Sequence, residues 1–385
     1  MVNKHIVHLE QLSLQGMKEL RKAIIIIQKL KNSLYTNNID TDIVISKKID
    51  GALAIVFGKD KNNKFFISTK SIFNVTPKIA YTIDDIKQLF DKPQVQEKLI
   101  NCYKVLSTIN FDGIYQADFL FDSSSKHIKF INSISYITFT PNTITYAIEE
   151  HSIEGQRVKN AQLGICIHTK YVGDPLTGLI VDTVNIQLNQ FLNIPSLYVI
   201  NPFIDNIADN LLTENEYNKI SHSLSLIGEQ FHTIPSSFFL ILENNQEYIK
   251  LIERYINYLI KNEYSIIINN KFISNCIMYI DELNISKSLK NNAKQFITEY
   301  KKYLITLLHI YMQLMECKII IIEKLERLNK NLQTFYDIEG ILQKAKEEGF
   351  CVIPFKNGIV KLIDRFEFSK NNFNFIKRWG ENEQK

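Results

Sequence analysis

The chain is poor in the residues that staple or punctuate a fold. Its 385 residues include five cysteines, thirteen glycines and eight prolines. Cys102, Cys166, Cys276, Cys317 and Cys351 are scattered and never stand in a Cys-x-x-Cys spacing. That argues against a disulfide framework and a structural zinc site, and points to a reducing compartment. Long hydrophobic runs are also lacking, since Ala23–Ile27 and Ile319–Ile322 are too short to cross a bilayer. The N-terminus has no continuous apolar core of the kind a secretory signal needs. A cytoplasmic protein without a membrane partner is therefore expected. The net charge of +4 is too mild to establish nucleic-acid binding, though it leaves room for local basic patches. At 45% hydrophobic and 22% charged, the composition is that of a globular protein, long enough for two or three domains.

The hydrophobic period changes along the chain. Apolar residues from Leu14 to Leu34 recur at helical spacing. From residue 42 to 73 the pattern turns to short β-rich runs, Ile43–Ile45, Leu53–Phe57 and Phe65–Thr69, with a polar turn at Gly58–Asn63. Further strands are expected at Gly113–Phe121, Ile128–Phe130 and Gly164–His168. Short connections favour antiparallel pairing over a doubly wound parallel sheet. Beyond residue 205 the chain reads as helical through Glu214–Leu226, Glu247–Lys261 and Lys290–Leu332, the last too long for one ordinary helix, so that a break or a protruding antenna is expected. The helices read as a bundle packing on itself. β character returns in Phe350–Pro354 and Gly358–Ile363, around an Asn357-Gly358 hairpin signal. The expected division is a core at 1–204, a helical insertion at 205–340 and a β-hairpin at 341–385 that completes the core.

One short motif stands out. Lys48-Ile49-Asp50-Gly51 places a lysine at the end of a β-rich run, just before a tight Asp-Gly turn. An amine so placed becomes a nucleophile when desolvation or a nearby cation such as Lys47 lowers its pKa. Phe65-Phe66-Ile67-Ser68-Thr69-Lys70-Ser71 offers a cation and hydroxyls suited to phosphate or ribose. Asp118 stands in a mostly apolar strand, a costly place for a carboxylate without a partner. Glu348 precedes the run Gly349–Val352 and could hold a divalent ion, while Lys361 could neutralise a phosphate. Arg365, Lys377 and Arg378 read as solvated charges. Pro141-Asn142-Thr143 is a turn that serves either backbone capping or a substrate. His168 reads as a core histidine, and His8 and Glu10 lie too far from any anchor to be given a role.

Taken in order, Lys48–Gly51, the Asp118 strand, Gly164–Thr169, Glu348–Val352 and Val360–Leu362 resemble the motifs of the covalent nucleotidyltransferases: ATP-dependent DNA ligases, RNA ligases and messenger-RNA capping enzymes. The chain is most similar to RNA-ligase-like proteins of large tailed phages. These share an opening like His8-Leu9-Glu10, the Phe-Phe-x-x-Thr-Lys-Ser segment, a run like Phe139–Tyr146 and an ending like Val360–Lys370. The resemblance covers two blocks and leaves out the helical stretch. It implies an α+β fold with an antiparallel, ATP-grasp-like ligase core split by an all-helical insertion. It also implies ATP and magnesium, and AMP carried covalently on Lys48. By the same resemblance Asp50, Gly51, Lys70 and Asp118 bind the nucleotide, Ile165 and Ile167 back the adenine, Glu348 bears on the metal and Lys361 binds the α-phosphate. The implied partner is nucleic acid, RNA with a 5′-phosphate end.

Two departures qualify the resemblance. Leu53 stands where DNA ligases have an arginine five residues after the lysine, which tilts the expectation toward RNA. Ile363 stands where the final motif has a second lysine. No oligonucleotide-binding barrel is legible after Lys361, so the helical insertion is expected to help hold a nucleic acid. The competing expectation is a ligase-derived module that binds nucleotide or nucleic acid without turnover.

Overall fold

The computed structural model describes residues 6–182, 186–204, 207, 211–328, 332–338, 340–354 and 358–367. The chain begins with β1 (Val7–His8), a 3-10 turn (Leu9–Leu14), α1 (Met17–Thr36), β2 (Ile43–Lys47), β3 (Ala54–Lys59) and β4 (Phe65–Thr69). Next come α2 (Ile83–Leu89), α3 (Pro93–Leu106), β5 (Ile114–Asp122), β6 (Lys126–Ile131), β7 (Ile134–Phe139) and β8 (Thr145–Glu149). Then α4 (Ile153–Asn160) leads to β9 (Leu163–Asp174), β10 (Gly178–Asp182) and β11 (Leu197–Ile200). Helices α5 (Glu214–His232), α6 (Ser236–Asn244), α7 (Gln246–Lys261), α8 (Asn270–Glu282), α9 (Lys287–Glu299) and α10 (Lys301–Leu325) follow. The described chain closes with β12 (Gln333–Ile338), β13 (Ile341–Lys344), β14 (Phe350–Pro354) and β15 (Val360–Leu362).

The protein is α+β, with three sheets that are mostly antiparallel. One runs β1-β15-β14-β2, with β1 parallel to β15. A second runs β10-β9-β5-β3-β4, and β11 adds in parallel to β9. The third runs β13-β12-β8-β7-β6. The β3–β4 hairpin forms where its turn chemistry directs: the Asp60 carboxylate accepts from the backbone N–H groups of Asn62 and Lys64, each at 2.9 Å, and Asn63 takes a left-handed φ of 61°.

The second sheet shows how strand alternation sorts side chains. Ile55, Phe57, Ala117, Phe119, Ile165 and Ile167 share one core with Leu99, Cys102 and Leu106 of α3. Asp118 and Cys166, which pair across β5 and β9, take the opposite face.

The helices are not a bundle closed on itself. Leu30 of α1, Leu314 of α10, and Phe350, Val352, Val360 and Leu362 of β14 and β15 belong to a single core. The expected long helix breaks at Tyr300, between α9 and α10. No antenna results, because Leu304, Leu307, Leu308, Tyr311 and Leu314 form a buried stripe along α10. Lys301–Leu328 is also long and apolar enough, by length and composition, to cross a membrane. The short-run reading missed it because polar residues interrupt its apolar positions. In this fold more than half of its apolar window is buried, as in a core helix.

Two boundaries differ from expectation. Strand β12 falls within the stretch expected to be helical, yet it pairs with β8. The hairpin β14–β15 does not extend the sheet that carries Asp118; it joins β2, the strand that ends at Lys47. The hairpin turn expected at Phe355–Asn357 lies outside the described residues.

Arg365 is also unlike its sequence reading. It is 7% exposed, and its guanidinium donates to Tyr311 and Asn257 while standing 3.6 Å from Glu10. Glu10 in turn accepts from Lys318 at 2.7 Å, both side chains being fully enclosed. This cluster joins the N-terminal turn, α7, α10 and the chain after β15. Lys377 and Arg378 lie outside the described residues.

Candidate active site

The lysine motif follows β2 and is held on three sides. Asp50 accepts from Asn142 Nδ2 at 2.8 Å and from the backbone N–H groups of Thr143 and Ile144 at 3.0 and 3.2 Å. Its own N–H donates to the Tyr146 hydroxyl at 2.6 Å. The Pro141–Tyr146 run is thus a bracket for Asp50, and the carboxylate of the motif holds the loop in place. Gly51 has the second task. A Cβ at that position would collide with the Asp118 side chain, so glycine lets the motif lie directly against β5. Leu53, in the place of the DNA-ligase arginine, takes a φ of 81°, a strained backbone for a branched residue.

Register brings the opposite charge. Lys47 pairs with Phe350 across β2 and β14, and the Lys48 N–H donates to the Gly349 carbonyl at 2.8 Å. Glu347 and Glu348 therefore face Lys47 and Lys48, and each lysine donates to its own glutamate. Gly349 makes the turn possible: its φ is 123°, and a Cβ would strike the Leu362 carbonyl. The doublets Lys47-Lys48 and Glu347-Glu348 are legible in the sequence as complements, which is the signal that could have found this pairing.

The electrostatics differ from the sequence expectation. Burial alone would lower the Lys48 pKa, but the Glu348 and Asp50 charges outweigh it and raise the value. Lys47 is paired with Glu347, so the cation expected to help lower the Lys48 pKa is offset by a carboxylate of its own. Lys48 is held in this state as an ammonium ion. Burial pushes the Glu348 carboxyl up, and Asp50 adds to that push. Lys361, half-buried on β15, is lowered first by burial and then by the Lys48 charge, with a smaller effect from Lys70. Cys351 pairs with Lys361 across the hairpin, and burial raises its thiol to about 11. On the other side of Lys361 stands His8, in register on β1, with burial lowering its pKa to about 3.

Asp118 sits on a central strand, not at an edge. Its side chain is 25% exposed, with His168 Nε2 at 3.7 Å from its carboxylate and His168 Nδ1 bonded to Thr169 Oγ1 at 2.8 Å. Ile165 and Ile167 are fully buried on the other face of the sheet. The structure thus brings Lys48, Asp50, Gly51, Asp118, Glu348 and Lys361 together and leaves those two isoleucines out. Lys70 is exposed, and the hydroxyls beside it are engaged internally: Ser68 with the Lys78 carbonyl, and Thr69 with Ser71.

Among the described residues no three His, Cys, Asp or Glu side chains converge on a metal position. Glu348 Oε2 is nevertheless buried without a hydrogen-bond partner. One free carboxylate oxygen fits magnesium, which takes few protein ligands and fills its shell with phosphate and water oxygens.

The chain belongs to the DUF6267 family. That family is described as one of unknown function, and its profile matches residues 3–377. The match therefore spans the lysine loop, the helices and the closing hairpin of this DUF6267 protein. No curated protein and no solved structure matches it.

Proposed function

We propose that this DUF6267 protein is a covalent nucleotidyltransferase of the RNA-ligase kind, with an antiparallel ligase core and ATP as its nucleotide. The observation that carries the reading is the meeting of four distant segments: Lys48 on Glu348, Gly51 against Asp118, and Lys361 within electrostatic reach of Lys48 and Glu348. A nucleophilic amine, a ribose-binding carboxylate, a metal-binding carboxylate and a phosphate-binding cation are what adenylyl transfer requires.

In this reading Lys48 first leaves Glu348 and loses a proton to solvent. The neutral Nζ then attacks the α-phosphorus of ATP; the bond to the bridging oxygen breaks and pyrophosphate leaves. Magnesium, when bound, neutralises the triphosphate and assists that departure. Glu348 would hold it through Oε2. Lys361 steadies the α-phosphate and Asp118 the ribose, and the base lies on the sheet face that Cys166 shares with Asp118. AMP then passes from Lys48 to the 5′-phosphate of an RNA, and a 3′-hydroxyl displaces it. Leu53 at the arginine position of DNA ligases supports RNA.

A second reading has its own support. The Lys48–Glu348 pair keeps the amine protonated, and Ile363 replaces a lysine, as a binding module that has lost turnover would allow. Incubation with α-labelled ATP and magnesium, followed by denaturing electrophoresis, separates the two. Wild type is expected to carry a covalent label and Lys48→Ala none. If wild type stays unlabelled with ATP and with GTP, even after pyrophosphate has stripped any bound AMP, the catalytic reading falls.

A further inference from the structure

A cavity of about 190 Å³ lies beside the lysine loop, and the nucleotidyl-transfer reading touches it only at Asp50 and Glu348. Glu347, Glu348 and Gly349 line it, but Lys48, Lys70, Asp118 and Lys361 do not. The rest of its described wall comes from Asp50 and its 142–144 bracket, the end of α10 and Glu326 beyond it, Tyr336 on β12, Lys346 and the chain after β15.

That wall has two kinds of chemistry. Among the described residues, seven of the fifteen that line it are Asp or Glu, against a single cation, Lys346. Lys346 is largely exposed and already faces Glu367 at 3.9 Å. Asp50 is satisfied by its bracket, but Glu347 and Glu348 each bond a lysine through Oε1 and leave Oε2 buried with no partner among the described residues. The Glu348 side chain is only 8% exposed, so water does not compensate it. Between the carboxylates the wall is apolar, with Ile144, Ile319, Ile322 and the Tyr336 ring.

Two ligand classes are disfavoured by this lining. Nucleotide or RNA phosphates would meet carboxylates. Away from Glu348, a metal ion without a phosphate to complete its shell needs converging ligands, and none of the described acidic groups form such a set. Separated carboxylates on an apolar wall suit positive charges spaced along a hydrocarbon chain. We propose that this cavity binds an aliphatic diamine or polyamine. Its methylenes lie on Ile319, Ile322 and Tyr336, and its ammonium groups meet Glu326 and the free oxygen of Glu347. Repulsion already felt in the cavity agrees with this: burial, with Glu347 next, raises the Glu326 carboxyl to about 7.

The inference goes beyond nucleotidyl transfer and does not depend on it, so its test is direct binding. Calorimetric titration of the full chain with 1,4-diaminobutane, at physiological ionic strength, is expected to show one site. Glu326→Gln should weaken binding about tenfold, about 1.4 kcal/mol. Glu326→Lys should abolish it by placing a tethered ammonium in the cavity. Ile319→Trp, which fills the apolar half, decides the matter if the Glu326 variants fail to fold, as judged by circular dichroism. No binding at millimolar diamine, or equal binding in wild type and folded variants, overturns the proposal. So does complete displacement by magnesium at equal charge, which would make the cavity a metal site.

Discussion

Glu10–Lys318 and Lys48–Glu348 are the same pair of functional groups set in different surroundings. The first is sealed among α10, the N-terminal turn and Arg365, with neither side chain exposed. The second stands where the lysine loop meets β14, with Lys48 27% exposed and Glu348 bordering a cavity. Burial raises and the Lys318 charge lowers the Glu10 pKa, and the net result is a carboxyl held below its ordinary range. Glu348, with Asp50 beside it, is driven the other way. An enclosed pair with a second cation nearby joins distant segments of the fold. Both glutamates leave one buried oxygen without a hydrogen bond among the described residues, but that of Glu10 faces Arg365 at 3.6 Å while Glu348 borders a cavity, so the second pair is set up to exchange partners.

The largest expected effect breaks the sealed pair. Lys318→Met leaves Glu10 buried with only Arg365 in reach and should cost about 3–5 kcal/mol in urea denaturation. Lys48→Met, at a partly open pair whose buried glutamate can take up a proton instead, should cost less, about 1–3 kcal/mol. Equal losses would show that the two surroundings do not differ as described.

A smaller effect tests the contact that places the open pair. Gly51→Ala forces a Cβ into Asp118 and should cost about 1–3 kcal/mol. It should also abolish covalent labelling, although every charged group is still present. Full labelling in that variant would show that the approach of the loop to β5 is not needed.

The smallest effect reads the cavity through pH. The Glu326 pKa is raised to about 7 from an ordinary 4.5, so the folded state binds the proton more tightly than the unfolded chain. This group therefore opposes folding above pH 7, and the opposition fades as pH falls through 7 toward 4.5. Glu326→Gln should raise the urea midpoint above pH 7 and lose that advantage near pH 4.5. The sealed Glu10 has the opposite sign, since its pKa is lowered and its contribution is lost as pH falls below the ordinary carboxylate value. A midpoint for Glu326→Gln that does not change with pH would remove the physical basis for the crowded cavity.

Much of the local structure was legible because it depends on neighbours in the sequence. Phe65–Thr69 is the strand its β-rich composition announced, and Glu247–Lys261 differs by one residue from the observed α7. Lys48, Asp50, Gly51, Asp118, Glu348 and Lys361 stood out by residue type and by order along the chain. What those residues touch was less legible. Asn142 read as backbone capping or a substrate contact and Tyr146 only as part of a shared run, and both hold Asp50. Arg365 looked solvated and is buried. Ile165 and Ile167 were assigned to a base, yet strand parity turns them away from Asp118.

By itself the sequence determined the periods of its helices and strands, the Asp-Gly and Gly349 turns, and the matched doublets Lys47-Lys48 and Glu347-Glu348. These depend on side-chain type and on backbone freedom within a few residues. Only the tertiary structure decided that β14 pairs with β2, which lays one doublet on the other across some three hundred residues of chain. It also decided that α10 encloses Lys318 and that a carboxylate-lined cavity opens beside Glu348. Burial and register are properties of the whole packed chain, and they determine whether a given lysine and glutamate form a lock or a site.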